Sequence, residues 1–300
     1  VNISNILRND SLALNIKLSN ADDANQLDLN GLIEFAPDTA KISLLPSNLK
    51  INYEDWNIEE KVQIGFNRGK TKIENFALNN GEQELNINGI ISNDPEDILT
   101  LGLENFKLAT LNPFLKGMGI HLTGNANGST KIHRALKSPI IIDSLHIDSL
   151  GLNGRYIGSL SDVSSFNRTE KTVDVSTKIV ARNKETFNIS GQLHTEQQQI
   201  DLRVKLDDSE LAILEPLIKN LVSDLKGTLS ADLNVEGSFD SPLVNGEVDL
   251  KKAQVTVNYL KTTYLINDKI AIKNSVLGLH NLTLKDLEGH TGNANGTVDL

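Results

Sequence analysis

Residues 223–250 read SDLKGTLSADLNVEGSFDSPLVNGEVDL, with Leu229, Ala231, Leu233 and Val235, then Val244, Val248 and Leu250, at every second position. A strand turns successive side chains to opposite faces, so alternation of this kind means one face away from water and one in it. The same pattern recurs in KVQIGF at 61–66, ELNINGII at 84–91, DILTLGL at 97–103, IHLTGNANGSTKIH at 120–133, DVSTKIV at 174–180, QIDLRVKL at 199–206, AQVTVNYL at 253–260 and KIAIKN at 269–274. Asn-Gly pairs at 80–81, 88–89, 127–128 and 245–246 read as punctuation between strands. The expected fold class is all-β, an elongated, repeat-built sheet with two short amphipathic helices.

Those helices are the segments that break period two. ELAILEPLIKNLVSDLKG at 210–227 puts Leu214, Leu217, Ile218, Leu221, Val222 and Leu225 on one stripe at helical spacing. DDSE at 207–210 reads as its N-cap and first-turn acids, Gly227 as its stop, and Pro216 as a first-turn proline. LATLNPFLKGMG at 108–119 looks like the same device.

The likeness extends into an internal repeat. Gly89 matches Gly191 at an offset of 102, while Pro113, Gly124 and Pro139 match Pro216, Gly227 and Pro242 at 103. INYEDWNIEEKVQI at 51–64 echoes VNYLKTTYLINDKIAI at 257–272, Tyr53 matching Tyr259 at 206 and Lys61 matching Lys269 at 208. Two periods of 103 account for the longer offsets. The expected divisions are 1–138, 139–241 and a truncated 242–300, all parts of one continuous β structure.

Composition narrows the function. The chain has 300 residues, of which 39% are hydrophobic and 23% charged, so it is neither disordered nor built of membrane-spanning helices, and no apolar run approaches eighteen residues. The net charge of −10, from 29 basic and 39 acidic residues, argues against a nucleic-acid surface, which needs a basic stripe. There is no cysteine, which removes disulfides, thiolate metal sites and cysteine nucleophiles. One Trp, four Tyr and eight Phe leave few aromatic platforms for sugars or single strands. The chain starts VNISNIL, without Met, and stops at GNANGTVDL inside a strand pattern, so it is expected to be a piece of a longer protein.

No catalytic constellation emerges. The six histidines, His121, His133, His146, His194, His280 and His290, have no ligand spacing, so no metal and no cofactor is expected. GNANGST at 124–130 lacks the Lys of a phosphate loop, and GNANG returns at 292–296; both read as tight positions within a sheet. NADDANQLDLNG at 20–31 has too few correctly spaced carboxylates for calcium. There is no GxSxG nucleophile elbow. Asp207 and Asp208 are adjacent, which on an extended strand sends them to opposite faces, a poor start for acid–base work.

The blocks NFALNNGEQELNINGIIS, NFKLATLNPFL…LTGNANGSTKI…SP and GSFDSPLVNGEVDLKKAQVTVNYLKTTYLIND…LTLKDLEGHTGNANGTV resemble the C-terminal region of the TamB family, within the AsmA-like group of bridge proteins, in a Bacteroidota-like form. The resemblance covers residues 50–300 and more loosely 1–50. It implies a β-taco: a sheet folded lengthwise into a trough with an apolar lining. It also implies a periplasmic location, an inner-membrane anchor outside these residues, an Omp85-type outer-membrane barrel as partner, and a part in outer-membrane protein assembly and phospholipid movement. It brings no catalytic motif, so the chain is not expected to be an enzyme.

The residues expected to line the trough are Ile87, Leu101, Leu103, Leu122, Ile132, Leu202, Val204, Leu229, Leu233, Val235, Val248, Leu250, Val255 and Val257. At about 0.8 kcal/mol per buried CH₂, a tail of about fifteen carbons gains at most about 12 kcal/mol on such a lining. The second helix, through Leu214, Leu217, Ile218, Leu221 and Leu225, is expected to cover the groove, either gating it or closing a core. Three functions stay open: a conduit for phospholipid acyl chains, a chaperone that pairs its edge with nascent outer-membrane strands, and a scaffold or adhesin-like domain with a filled core.

Overall fold

A computed structural model describes residues 2–8, 10–19, 26–51, 53–137, 139–218 and 220–299, with side chains described for all of these except 2–8, 14, 216 and 217. The strands are β1 (Asn2–Arg8), β2 (Ser11–Ser19), β3 (Gln26–Ala36), β4 (Thr39–Leu44), β5 (Ser47–Ile51), β6 (Glu54–Ile58), β7 (Val62–Asn67), β8 (Lys70–Asn79), β9 (Glu84–Ile91), β10 (Ile98–Lys107), β11 (Leu122–His133) and β12 (Ile140–Leu152). They continue as β13 (Arg155–Asn167), β14 (Thr172–Ala181), β15 (Lys184–His194), β16 (Gln199–Glu210), β17 (Val222–Ser238), β18 (Ser241–Val257), β19 (Thr262–Lys273), β20 (Val276–Asp286) and β21 (Thr291–Asp299). Two helical turns, α1 (Asn112–Leu115) and α2 (Glu215–Ile218), interrupt them. The fold is all-β, as the alternation predicts.

The chain divides into two compact units, one of Val1–Lys116 with His121–Asp148 and one of Gly117–Ile120 with Ser149–Leu300. In the first, antiparallel pairing runs β1–β2–β3 and then β8–β9–β10–β11, with short strands between. β3 pairs with β4 along Gly31–Ala36 and with β5 along Gln26–Asp28. Pro46 separates those two partners because it has no N–H for a ladder. Ser47 bridges the gap: its Oγ accepts from the Asn30 N–H at 3.1 Å and donates to the Leu45 carbonyl at 2.7 Å. Trp56, Ile58, Val62, Leu78, Phe106 and Ala126 are buried in this unit, with the Trp56 and Phe106 rings 6.0 Å apart. In the second unit, β13 to β21 each pair with the next strand as an antiparallel meander, with α2 between β16 and β17.

A recurrent bulge shapes both units. The register shifts between Ile73 and Phe76, Leu103 and Phe106, Leu206 and Ser209, Leu250 and Ala253, and Leu279 and Leu282. Each shift contains a residue with positive φ: Asn75 (58°), Asn105 (48°), Asp208 (46°), Lys252 (49°) and Asn281 (52°). The N–H of that residue donates to a side chain on the next strand. The acceptors are Asn88 Oδ1 at 2.7 Å, Asn127 Oδ1 at 2.8 Å, Ser230 Oγ at 3.1 Å, Asn267 Oδ1 at 3.2 Å and Asn295 Oδ1 at 2.8 Å. A bulge adds one residue to one strand, so side chains three apart come to share a face.

These bulges correct two expectations. Asn80–Gly81 does lie between strands, but Asn88–Gly89, Asn127–Gly128 and Asn245–Gly246 lie inside β9, β11 and β18. Their asparagines hold positive-φ residues opposite; Asn245 Oδ1 accepts from the Asn274 N–H at 2.8 Å. The glycine is required by what lies on its other side. Gly128 has φ 142°, and a Cβ there would sit 2.0 Å from the Ser144 carbonyl oxygen of β12. Gly89, Gly158, Gly191 and Gly227 meet the carbonyls of β10, β14, β16 and β18 in the same way.

The helix expected over 210–227 is much shorter. DDSE closes β16, where Ser209 pairs with Leu229 and Glu210 with Thr228, and no side chain caps the turn that follows. A 3-10 turn at Leu211–Leu214 leads into α2, and β17 begins at Val222. Val222 and Leu225 are three apart and mimic a helical stripe, but register shifts on either side of Lys226 do this on a strand, helped by Asp224 at φ 53°. Gly227, expected as the helix stop, is a strand glycine facing the Lys252 carbonyl. The segment at 108–119 is helical as expected: a 3-10 turn at Leu108–Leu111, α1, and a second 3-10 turn at Lys116–Met118.

Candidate functional site

Directly opposed residues of an antiparallel pair share a face, so the registers decide which apolar side chains stand together. In the second unit Leu206, Ala231, Val248 and Ile270 form one row across β16–β19. Val204, Leu233, Gly246 and Ile272 form the next, and Leu202, Val235 and Val244 a third. Leu229 opposes Leu250, Val255 opposes Tyr264 and Val257 opposes Val222. In the first unit Phe76, Ile87, Leu101 and Thr130 form a row across β8–β11, flanked by Leu78, Leu85, Leu103 and Gly128 on one side and Ile73, Gly89, Leu99 and Ile132 on the other. Leu122 lies at the start of β11, where the Asn112 side chain clips its backbone: Leu122 N–H donates to Oδ1 at 2.8 Å and Nδ2 donates to the Leu122 carbonyl at 2.9 Å.

Apart from Leu122, the expected lining residues stand on apolar rows or in cross-strand pairs within their own units. Only Leu229 and Leu250 among them are buried; the other twelve are half-buried, and none is exposed. A packed sandwich core would seal most of them. The sealed part of the face lies under the helical turn. There Leu211, Ala212, Leu225, Leu229, Ala231, Leu250, Ala253, Ile270 and Leu282 make one buried cluster, with Leu214 and Ile218 packed against it. Full burial of such a Leu contributes about 1.5–3 kcal/mol.

Of the residues expected to cover the groove, Leu214 and Ile218 pack against this cluster. Leu225 belongs to the sheet, 1% exposed, and Leu221 points away, 66% exposed. The Leu217 side chain lies outside the described residues. Further members of the face were not among the expected lining residues: Leu206 and Ile270, which lie in stretches already read as alternating, and Leu277, Leu279 and Leu284 of β20. Their signal was the same alternation, present in β16 and carried on through β19 and β20.

The other face is polar and paired. Arg203 holds Asp232 with Nε at 2.9 Å and Nη2 at 2.7 Å, and this guanidinium keeps the Asp232 carboxyl below its usual range. Asp207 and Asp208 do not diverge as expected. Both reach Lys184, at 3.0 and 3.2 Å, because the positive φ of Asp208 bends the strand, and Lys251 joins Asp208 at 3.1 Å. Lys251 first and Lys184 second lower the Asp208 carboxyl. Exposed pairs of this kind order a surface more than they stabilise it. Asp286, Glu288 and His290 come within 4.8 Å of one another, but Asp286 is engaged in its own turn. Its Oδ1 accepts from the Glu288 N–H at 2.9 Å and the His290 N–H at 2.8 Å, and its Oδ2 lies 2.9 Å from His290 Nδ1.

Residues 8–250 match the family model for the TamB N-terminal domain. The chain belongs to the TamB family. The match is to the model of the family's N-terminal domain, so it carries the family and not the C-terminal placement that the sequence blocks suggested. No curated protein and no solved structure matches the chain. TamB proteins are non-enzymatic cell-envelope biogenesis proteins that partner with an Omp85-type outer-membrane protein. Among the described residues no helix is long and apolar enough to cross a membrane.

Proposed function

We propose that the apolar face solvates phospholipid acyl chains on their way between the inner and outer membranes. The observation that supports this reading is the half-buried state of twelve of the fourteen lining residues, Ile87 to Val257, most of which stand on rows that run across neighbouring strands. The rows consist mainly of Leu, Ile and Val with glycine and alanine between, and carry no fixed charge. Hydrocarbon gains by leaving water without finding a deep directional well, which suits passage rather than storage. The opposite face, with its ion pairs, stays in water. In this reading the protein is periplasmic, anchored to the inner membrane through residues outside the chain, and meets an Omp85-type barrel; nascent outer-membrane proteins are its second cargo class. The AsmA-like grouping and the C-terminal placement belong to the same proposal. The helical turn over Leu225 and Leu229 closes one stretch of the face, and that stretch favours a filled-core scaffold as the competing reading.

Native mass spectrometry of the purified protein tests it. Phospholipid adducts are expected, reduced at least tenfold in Leu233→Glu and retained in Asn234→Glu, which places the same charge on the exposed face. Absence of adducts, or equal loss in both variants, overturns the conduit.

A further inference from the structure

In the first unit β3 turns into β4 between Ala36 and Thr39, and β7 turns into β8 between Asn67 and Lys70. The second turn is Arg68–Gly69, with φ 43° and 82°, and Arg68 Nη2 reaches Asp38 of the first turn at 3.3 Å. NRGKTKIE at 67–74 then alternates, so Lys70, Lys72 and Glu74 leave β8 on the face opposite Ile73. Ile73 stands on the apolar row with Gly89, Leu99 and Ile132, so the lysines belong to the polar face.

The registers place Lys41, Gly65 and Lys72 in one row across β4, β7 and β8, and Thr39, Asn67 and Lys70 in the next. Strands lie about 4.8 Å apart, so Lys41 and Lys72 flank Gly65 at a backbone separation of about 10 Å. Nothing lies within 4 Å of where a Gly65 Cβ would be. Two long cationic side chains thus stand on either side of a floor that has no side chain of its own. The concavity here has a volume of about 620 Å³ and is lined also by Gln63 and Asn67.

Its lining carries four cations, Lys41, Arg68, Lys70 and Lys72, against one carboxylate, Glu74, in a chain of net charge −10. Three of the cations have partners. Arg68 has Asp38, Lys70 has Asp94 at 3.1 Å and Asp97 at 2.6 Å, and Lys72 has Glu74 at 2.7 Å. Lys41 is half-buried and, among the described residues, makes no ion pair, although Glu34 opposes it on β3. A half-buried cation without a counter-charge carries a cost that a bound anion removes.

We propose that this concavity binds the phosphate monoester group of a small soluble molecule, with Gly65 as the floor, Lys41 and Lys72 as opposed ammonium groups, and the Gln63 and Asn67 amides as neutral donors. A phosphate monoester carries about two negative charges and three oxygens splayed in different directions, so ammonium groups on opposite sides each find an acceptor. A carboxylate has one charge and two oxygens in one plane. The volume leaves room for a sugar-sized body beyond the phosphate. A phospholipid is a poor occupant, because the apolar side chains Ile42, Ile64 and Ile73 lie on the other face of the same strands and its tails would stand in water. The site is separate from the acyl-chain reading and does not rest on it.

The test is isothermal titration calorimetry of the whole chain with glucose 6-phosphate as the probe. Saturable binding is expected, at least tenfold tighter than that of glucuronate, which offers a carboxylate on the same kind of ring. Lys41→Gln and Gly65→Val, which fills the floor, are each expected to weaken it at least fivefold with the circular dichroism unchanged, since valine suits a strand. Lys61→Gln removes the same charge outside the concavity and is expected to leave binding intact. Leu233→Glu is expected to leave it intact as well, which separates this test from that of the conduit. Absence of saturable binding, equal binding of glucuronate, binding unaltered in both Lys41→Gln and Gly65→Val, or equal weakening by Lys61→Gln overturns the proposal. Binding of phosphatidylglycerol vesicles that Lys41→Gln abolishes overturns it too, since the occupant is then a lipid surface.

Discussion

Replacing Gly128 by alanine probes the close strand approach most directly. The new Cβ would lie 2.0 Å from the Ser144 oxygen, 2.9 Å from Leu145 Cα and 3.0 Å from Ser144 C, all of them backbone atoms with no rotamer to yield. Restoring an ordinary contact of about 3.4 Å moves the two strands apart by about 1.4 Å, and inter-strand bonds of about 2.9 Å then stretch beyond any useful length. Losing two or three such bonds costs about 2–3 kcal/mol. Holding alanine at φ 142° adds about 1–3 kcal/mol of backbone strain. Gly296→Ala has the same kind of strain, at φ 151°, and no neighbour to meet. The expected result is a lower urea midpoint for Gly128→Ala than for Gly296→Ala, with the difference worth about 2–3 kcal/mol at unchanged m. Amide exchange should quicken across Asn127–Ser129 and at Leu145. If the two alanine variants are equally destabilised, the carbonyl approach is not what demands glycine, and the reasoning fails.

Three further outcomes are expected. Leu225→Ala removes a fully buried side chain and should cost about 2–5 kcal/mol by urea denaturation, whereas Leu221→Ala, on the exposed side, should be close to neutral; a helix over 210–227 would have made the two alike. Asn127→Ala leaves the Asn105 N–H to water and should cost about 0.5–1 kcal/mol, with faster exchange at Asn105 as the local sign. Asp232 has a folded-state pKa below its unfolded value near 3.9, so its contribution is complete above that value and is lost as pH falls through the lower one. The thermal midpoints of the parent and Asp232→Asn should therefore differ at pH 6 and converge below about pH 4; a constant gap would show that the Arg203 pair is not the cause.

Alternation was enough to reveal the strands and their apolar face, because burial of one face imposes a period of two whatever the neighbours are. Leu202, Val204, Leu233 and Val235 stand in rows for that reason alone. The bulges were hidden, since a positive-φ residue has no fixed identity: Asn75, Asp208 and Lys252 serve alike. They distort the pattern where it was misread, giving Val222 and Leu225 a helical spacing on a strand. Asn-Gly misled for a related reason. The dipeptide suits a two-residue turn, but in β9, β11 and β18 its asparagine serves the bulge or turn on a neighbouring strand and its glycine admits a close backbone. The extent to which the face is covered, with Leu229 sealed and Val235 half-open, depends on where eight residues of helical turn come down, and no local pattern specifies that.

The glycines of β9, β11, β13, β15 and β17 face a carbonyl of the strand that comes after, and Gly246 of β18 faces back, toward the Asp232 carbonyl of β17. In either direction the neighbouring backbone takes the volume of a side chain. Each such glycine therefore fixes the alignment of its pair, because a slip by one residue would bring a side chain to where only a hydrogen fits.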